Sequence, residues 1–131
     1  YKRAAPYPAF MTFDAPERAV CAVDRPRSNT PLQALTTLND EAFVEAARAL
    51  AARLEGPDPR ARIAHGFRLA TARRPADREM ASLLSLYERS AAHYAKDTAA
   101  AAKLAPRAPE LAPWVVVANV LLNLDETVTK E

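Results

Sequence analysis

An all-α fold follows from three features of the sequence. Thirty of its 131 residues are alanine, the strongest intrinsic helix former. Four windows, 32–56, 60–74, 76–105 and 114–131, contain almost no proline or glycine. Within them apolar residues recur at i, i+3, i+4 and i+7, one face of a helix. The expected architecture is an irregular bundle of about five helices at residues 30–131, preceded by an extended proline-rich arm at residues 1–29.

The arm carries Pro6, Pro8, Pro16 and Pro26. Proline fixes φ and removes a donor, so no regular element is expected there. Tyr1, Tyr7, Phe10, Met11, Phe13 and Val20 supply apolar contacts, and the arm is expected to pack on the bundle with Phe10, Met11 and Phe13 largely buried. The chain opens without an initiator methionine and is read as a piece of something longer.

The first helix opens with Thr30-Pro31-Leu32-Gln33. Thr30 caps, Pro31 stands at the first helical position, and Gln33 reaches back to close a capping box. Leu32, Leu35 and Leu38 follow at spacing three. Asn39-Asp40 offers a second N-cap, after which Phe43, Ala46, Ala47, Leu50 and Leu54 share one face until Gly56-Pro57. Asp58-Pro59 repeats the start signal, with Ile63, Phe67, Ala70 and Thr71 on the apolar side and Arg74-Pro75 as the stop.

The third window has the clearest pattern, with Met80, Leu83, Leu84, Tyr87, Ala91 and Tyr94 in helical register. Asp97-Thr98 caps a short alanine-rich helix that ends near Leu104. Pro106, Pro109 and Pro113 mark a connector. In the last window Val115-Val116-Val117 has strand propensity. Leu111, Trp114, Val115, Ala118, Leu121 and Leu122 nevertheless keep helical spacing, and no second strand exists to pair with it. This helix is apolar on most sides, which requires burial near the centre. Trp114, Ala118, Leu121 and Leu122 are expected in the core, with Val116 or Val120 left over for an outside contact.

Composition excludes several classes of function. Eighteen basic against sixteen acidic residues give a net charge of +2, too balanced for an obligate nucleic-acid binder. Two glycines leave no glycine-rich phosphate loop. No apolar run approaches the ~18 residues of a membrane span. One cysteine, Cys21, excludes a disulfide framework and a multi-cysteine metal cluster, and with no following histidine it cannot anchor a c-type haem. No cofactor is therefore expected in this piece.

Other candidates for chemistry have plainer readings. Cys21 lacks a nearby histidine and reads as a small buried hydrophobe. His65 and His93 sit on different helices without metal-ligand spacing. The acidic pairs Asp40-Glu41 and Asp125-Glu126 are sequence neighbours that point to different sides of a helix, so neither forms a facing carboxylate pair. Arg60, Arg62, Arg68, Arg73, Arg74 and Arg78 make a basic run with little aromatic interleaving. It reads as a solvated face plus some arginine–carboxylate pairs, with a phosphate- or nucleic-acid-binding face as the competing reading.

Several strings taken in order carry a resemblance. They are Phe13-Asp14-Ala15-Pro16, Cys21, the run Arg25-Pro-Arg-Ser-Asn-Thr-Pro-Leu-Gln-Ala-Leu35, Leu38-Asn39-Asp40, Ile63…Phe67-Arg68-Leu69-Ala70…Arg74-Pro75 and Leu121-Leu122-Asn123-Leu124-Asp125-Glu126. Together they resemble the C-terminal part of the planctomycete-type, cytochrome-c-associated domain of unknown function, the PSD-one family. The likeness covers nearly the whole chain. Departures are small: Glu41 stands where many relatives place proline, Ser28 replaces a common threonine, and Pro26 is unusual.

The resemblance implies a C-terminal part of a large exported bacterial protein, periplasmic or at the cell surface, with a haem module of cytochrome-c type often upstream. It carries over no catalytic residue. Within the family string, Arg25, Arg27, Asn29, Thr30, Pro31 and Gln33 read as a joint between arm and bundle, which Asn123 and Asp125 can join from the far helix end. The expected function is a non-catalytic structural or interaction module whose partners are upstream domains of the same protein, with homo-oligomerisation left open. The competing reading is part of a redox or polysaccharide-processing enzyme whose catalytic residues lie upstream.

Overall fold

The structure, a computed structural model, describes Thr12 and residues 30–128. Expectations for the arm, for Phe10, Met11 and Phe13, for Cys21, and for Arg25, Arg27 and Asn29 fall outside the described residues. The described chain is helical, without strands: α1 (Pro31–Asn39), α2 (Glu41–Arg53), α3 (Pro59–Thr71), α4 (Asp77–Lys96), α5 (Thr98–Leu104), a 3-10 turn (Pro109–Leu111), α6 (Ala112–Leu122) and a closing turn α7 (Asp125–Val128). The all-α reading is thus borne out, with six helices of seven residues or more among the described residues.

Most helix starts carry the caps that the sequence signalled. Thr30 and Gln33 close the capping box of α1. Asp40, Asp58 and Asp97 accept from the backbone N–H of Ala42, Ala61 and Ala100 at 2.9, 2.7 and 2.9 Å. Helix α4 lacks a capping side chain at Ala76, and there the Glu79 carboxylate takes the Ala76 N–H at 2.6 Å.

Two ends differ from the sequence signals. Helix α2 stops at Arg53, before Gly56-Pro57, because Leu54 turns extended and inserts into the core. Helix α3 stops at Thr71, before Arg74-Pro75, because Ala72 adopts a left-handed conformation with φ of 62°.

Helix α6 is the axis of the molecule. It lies against α2 and α4 and also touches α1, α3 and α5. Ala112, Pro113, Trp114, Val115, Val117, Ala118 and Leu121 are all buried. The strand propensity of the valines is overridden because a helix apolar nearly all round can be covered on most sides. Leu122 was expected in the core and is only half-buried, as are Val116 and Val120. Trp114 packs on Tyr87 of α4 with ring centroids 4.2 Å apart and the planes tilted by 31°. On the α3 side the Arg62 guanidinium lies 4.3 Å from the Trp114 ring centroid.

Where α3 crosses α6 the backbone comes close at Gly66. A Cβ there would stand 2.5 Å from Leu54 Cδ2 and 3.1 Å from Leu121 Cδ1. Ile63, Phe67, Met80, Leu83, Ala47 and Ala51 complete the core around this crossing. On α2, Ala46 was expected inward and is exposed, while Ala51 is fully buried.

Candidate functional site

Helix α1 is built inside out. Its buried residues are Gln33 and Thr37, 5% and 2% exposed, whereas Leu32, Leu35 and Leu38 are 59%, 58% and 39% exposed. Leucines at spacing three occupy one side of the helix, and the polar pair at i, i+4 occupies the other. The polar side faces the bundle. The leucine spacing was legible in the sequence; its outward direction was not, because spacing does not say which side of a helix meets the core.

Polar bonds hold α1 in this orientation. The Gln33 side chain works at both ends: Oε1 accepts from the Thr30 N–H at 3.0 Å, and Nε2 donates to the Thr12 carbonyl at 2.8 Å. The Thr37 hydroxyl lies between the Ala34 carbonyl, 2.9 Å away, and the Asn123 side-chain oxygen just beyond the end of α6. Asn119 Nδ2 donates to the Leu38 carbonyl at 3.1 Å. Asp125 opens α7 at the surface. Of the residues read as a joint, the structure therefore brings Gln33 to Thr30 and sets Asn123, at the end of α6, against Thr37 of α1. Thr37 and Asn119 were not singled out beforehand, and no local motif marks either.

A second polar cluster pins α7 to the rest. The Arg73 guanidinium makes paired bonds of 2.9 and 2.7 Å with Glu79 and of 2.9 and 2.5 Å with Glu126. Its carbon lies 4.8 Å from the Phe67 ring centroid. The Arg73 bonds, with the Ala76 N–H second, hold the Glu79 carboxyl down at about 2. Arg73 also lowers Glu126, and the two carboxylates, Glu79 foremost, raise Arg73. Arg73 and Arg62 of the basic run are thus engaged within the fold, Arg62 through an Nε bond to the Leu54 carbonyl at 3.0 Å. Arg60, Arg68, Arg74 and Arg78 are exposed and make no ion pair among the described residues.

The histidines have separate local settings. His65 Nδ1 accepts from the Glu55 N–H at 3.0 Å, tying the turn after α2 to α3. His93 lies edge-on to Tyr94 with centroids 5.0 Å apart. No group of three potential metal ligands exists among the described residues, and no described helix is long and apolar enough to cross a membrane.

A concave feature lies on α2. A cleft of about 500 Å³ runs between α2, the 105–111 connector and Val115 of α6. Ala49, Ala52, Ala105, Ala108, Leu111 and Val115 supply its apolar lining, and Glu41, Glu45, Arg48 and Arg107 its charges. The Arg48 Nε donates to the Leu104 carbonyl at 2.6 Å, which turns the guanidinium toward the connector.

The sequence matches the model of a known protein family. The model described as PSD1, protein of unknown function (DUF1553), matches residues 1–87. No curated protein and no solved structure matches the chain.

Proposed function

The chain belongs to the PSD1 family of proteins of unknown function, and we propose that it serves as a non-catalytic helical interaction module within a larger protein. The observation that carries this reading is the inverted helix α1. A monomeric fold gains by turning leucines inward, yet Leu32, Leu35 and Leu38 stand in solvent while Gln33 and Thr37 take the buried side. Contiguous exposed apolar side chains rimmed by polar ones mark interaction surfaces. The occupant in this reading is an upstream domain of the same protein. The motif resemblance supports a finer placement, at the C-terminal end of a large exported bacterial protein that often carries cytochrome-c-like modules.

The test is substitution of Leu32 and Leu35 by Lys. Exposed positions of this kind change stability by no more than about 0.5 kcal/mol, so the melting temperature of the chain should hardly move. Co-elution of the module with separately produced upstream domains should be lost. Undiminished co-elution would overturn the proposal.

A further inference from the structure

Helix α1 takes no part in the hydrophobic core. Among the described residues the core begins at Ala47, and the half-buried apolar residues packed against it include none from 31–39. The inward residues of α1 are Gln33 and Thr37, both polar. Of the other described helices, α1 lies against α2 and α6 only. Its bonds to the α6 side are those of Thr37 with the Asn123 side chain and of the Leu38 carbonyl with Asn119 Nδ2, the latter at 3.1 Å.

The chain is closed off separately on either side of Asp40. The Asp40 N–H donates to the Thr36 carbonyl at 2.8 Å and finishes α1. The Asp40 carboxylate accepts from the Ala42 N–H at 2.9 Å and starts α2. Asp40 itself is extended, with ψ of 136°. Helix α2 therefore keeps its N-cap if α1 lets go, and Asp40 is the hinge.

A helix in a protein draws most of its stability from an apolar face packed on the core. The leucine face of α1 stands in solvent instead. Undocking uncovers little apolar surface of α1, and its inward polar groups exchange protein partners for water. Nine residues are too few to stay helical alone in water. Elements with few buried apolar contacts open at a fraction of the cost of global unfolding.

We propose that α1 opens as a unit of its own: it leaves α6, pivots at Asp40 and unwinds while α2–α6 stay folded. Leu32, Leu35 and Leu38 share one side only while α1 is helical. Docking on α6 therefore presents the leucine surface and opening dissolves it, a consequence that rests on the interaction reading above; the opening itself does not. A partner that grips the leucines shifts α1 toward its docked form.

The experiment is amide hydrogen exchange of the whole chain, without partner, over a series of low urea concentrations. Protection from Leu35 to Asp40 should be at least tenfold lower than at the buried Val117, Ala118 and Leu121, and it should depend little on urea, whereas the core amides should depend on it steeply. Ile63→Val trims the core in α3, which does not touch α1. It should speed exchange of the core amides about two- to tenfold and leave α1 unchanged. Thr37→Val should speed α1 severalfold. Amides of α1 that match the core in protection and urea dependence, or that accelerate in step with it in Ile63→Val, would overturn the proposal. So would an α1 unchanged by Thr37→Val, because the bond to Asn123 would then not be the latch. Independent opening of α1 together with undiminished co-elution of the lysine variants would sink the interaction reading alone.

Discussion

The Thr37 hydroxyl meets the Asn123 side-chain oxygen across 86 residues of sequence, and this contact joins the first described helix to the end of the central one. Thr37 is buried and Asn123 half-buried, so the bond is partly shielded from water. Polar bonds of this kind fix orientation where apolar burial would have turned α1 over. The Gln33 bond to the Thr12 carbonyl acts in the same sense at the other end of the helix.

Thr37→Val keeps the shape and removes the donor. A hydrogen bond of this kind contributes about 0.5–1.5 kcal/mol, and urea denaturation should show a loss in that range. Asn123→Ala alone should cost a similar amount. The double variant should cost clearly less than the sum, because both changes remove one interaction. Additive losses would mean that the two side chains do not act together.

Two backbone positions should respond with opposite sign. Gly56 has φ of 155°, and a Cβ there would stand 2.7 Å from the Arg62 backbone nitrogen. Gly56→Ala should destabilise by about 1–3 kcal/mol. Ala72 is left-handed at the end of α3 with φ of 62°, a conformation that costs an L-residue about 1–2 kcal/mol. Ala72→Gly should therefore raise the melting temperature, with the gain reduced by the greater freedom of glycine in the unfolded chain.

Acid should loosen the Arg73 cluster in a defined window. Glu79 is held at about 2 against an ordinary 4.5, and Glu126 is lowered as well. A carboxyl whose folded value lies below its unfolded value binds more protons when unfolded. Its stabilising contribution is complete above about 4.5 and is lost as pH falls toward 2. Arg73→Met should lower the melting temperature at pH 6, and its deficit should shrink steadily below pH 4.5. The groups are solvent-exposed, so added salt should also shrink the deficit. A deficit independent of pH would assign the role of Arg73 to its packing on Phe67.

The helices were legible because their caps and periods are local. Thr30, Asp40, Asp58 and Asp97 announce helix starts in sequence and cap them in the structure. The all-round apolar character of 114–124 announced a central helix, which the structure places at Ala112–Leu122. What the sequence did not reveal depends on three dimensions. The outward turn of Leu32 and Leu35 is settled by Thr37, Asn123 and Asn119, two of which lie some eighty residues away. The α2 cleft is made by alanines, which carry no signal of their own in a chain with thirty of them.

The α3–α6 crossing gives the last prediction. Leu121 is fully buried, and its Cδ1 lies 3.1 Å from where a Cβ on Gly66 would stand. Leu121→Ala should cost about 2–5 kcal/mol through lost burial and the void left behind. Gly66→Ala alone gains about 1 kcal/mol of helix propensity, but its methyl would stand 2.5 Å from Leu54 Cδ2 and force that side chain to move. Overpacking of this kind costs about 1–3 kcal/mol, so the single change should be neutral to mildly destabilising. In the double variant the space vacated by Leu121 receives the displaced Leu54, and the new methyl fills part of the void. The double variant should thus be more stable than the sum of the two losses predicts, by about 1 kcal/mol or more in urea denaturation, a coupling typical of side chains that share one cavity. Strict additivity would place the two side chains in separate packing units and would refute this description of the crossing.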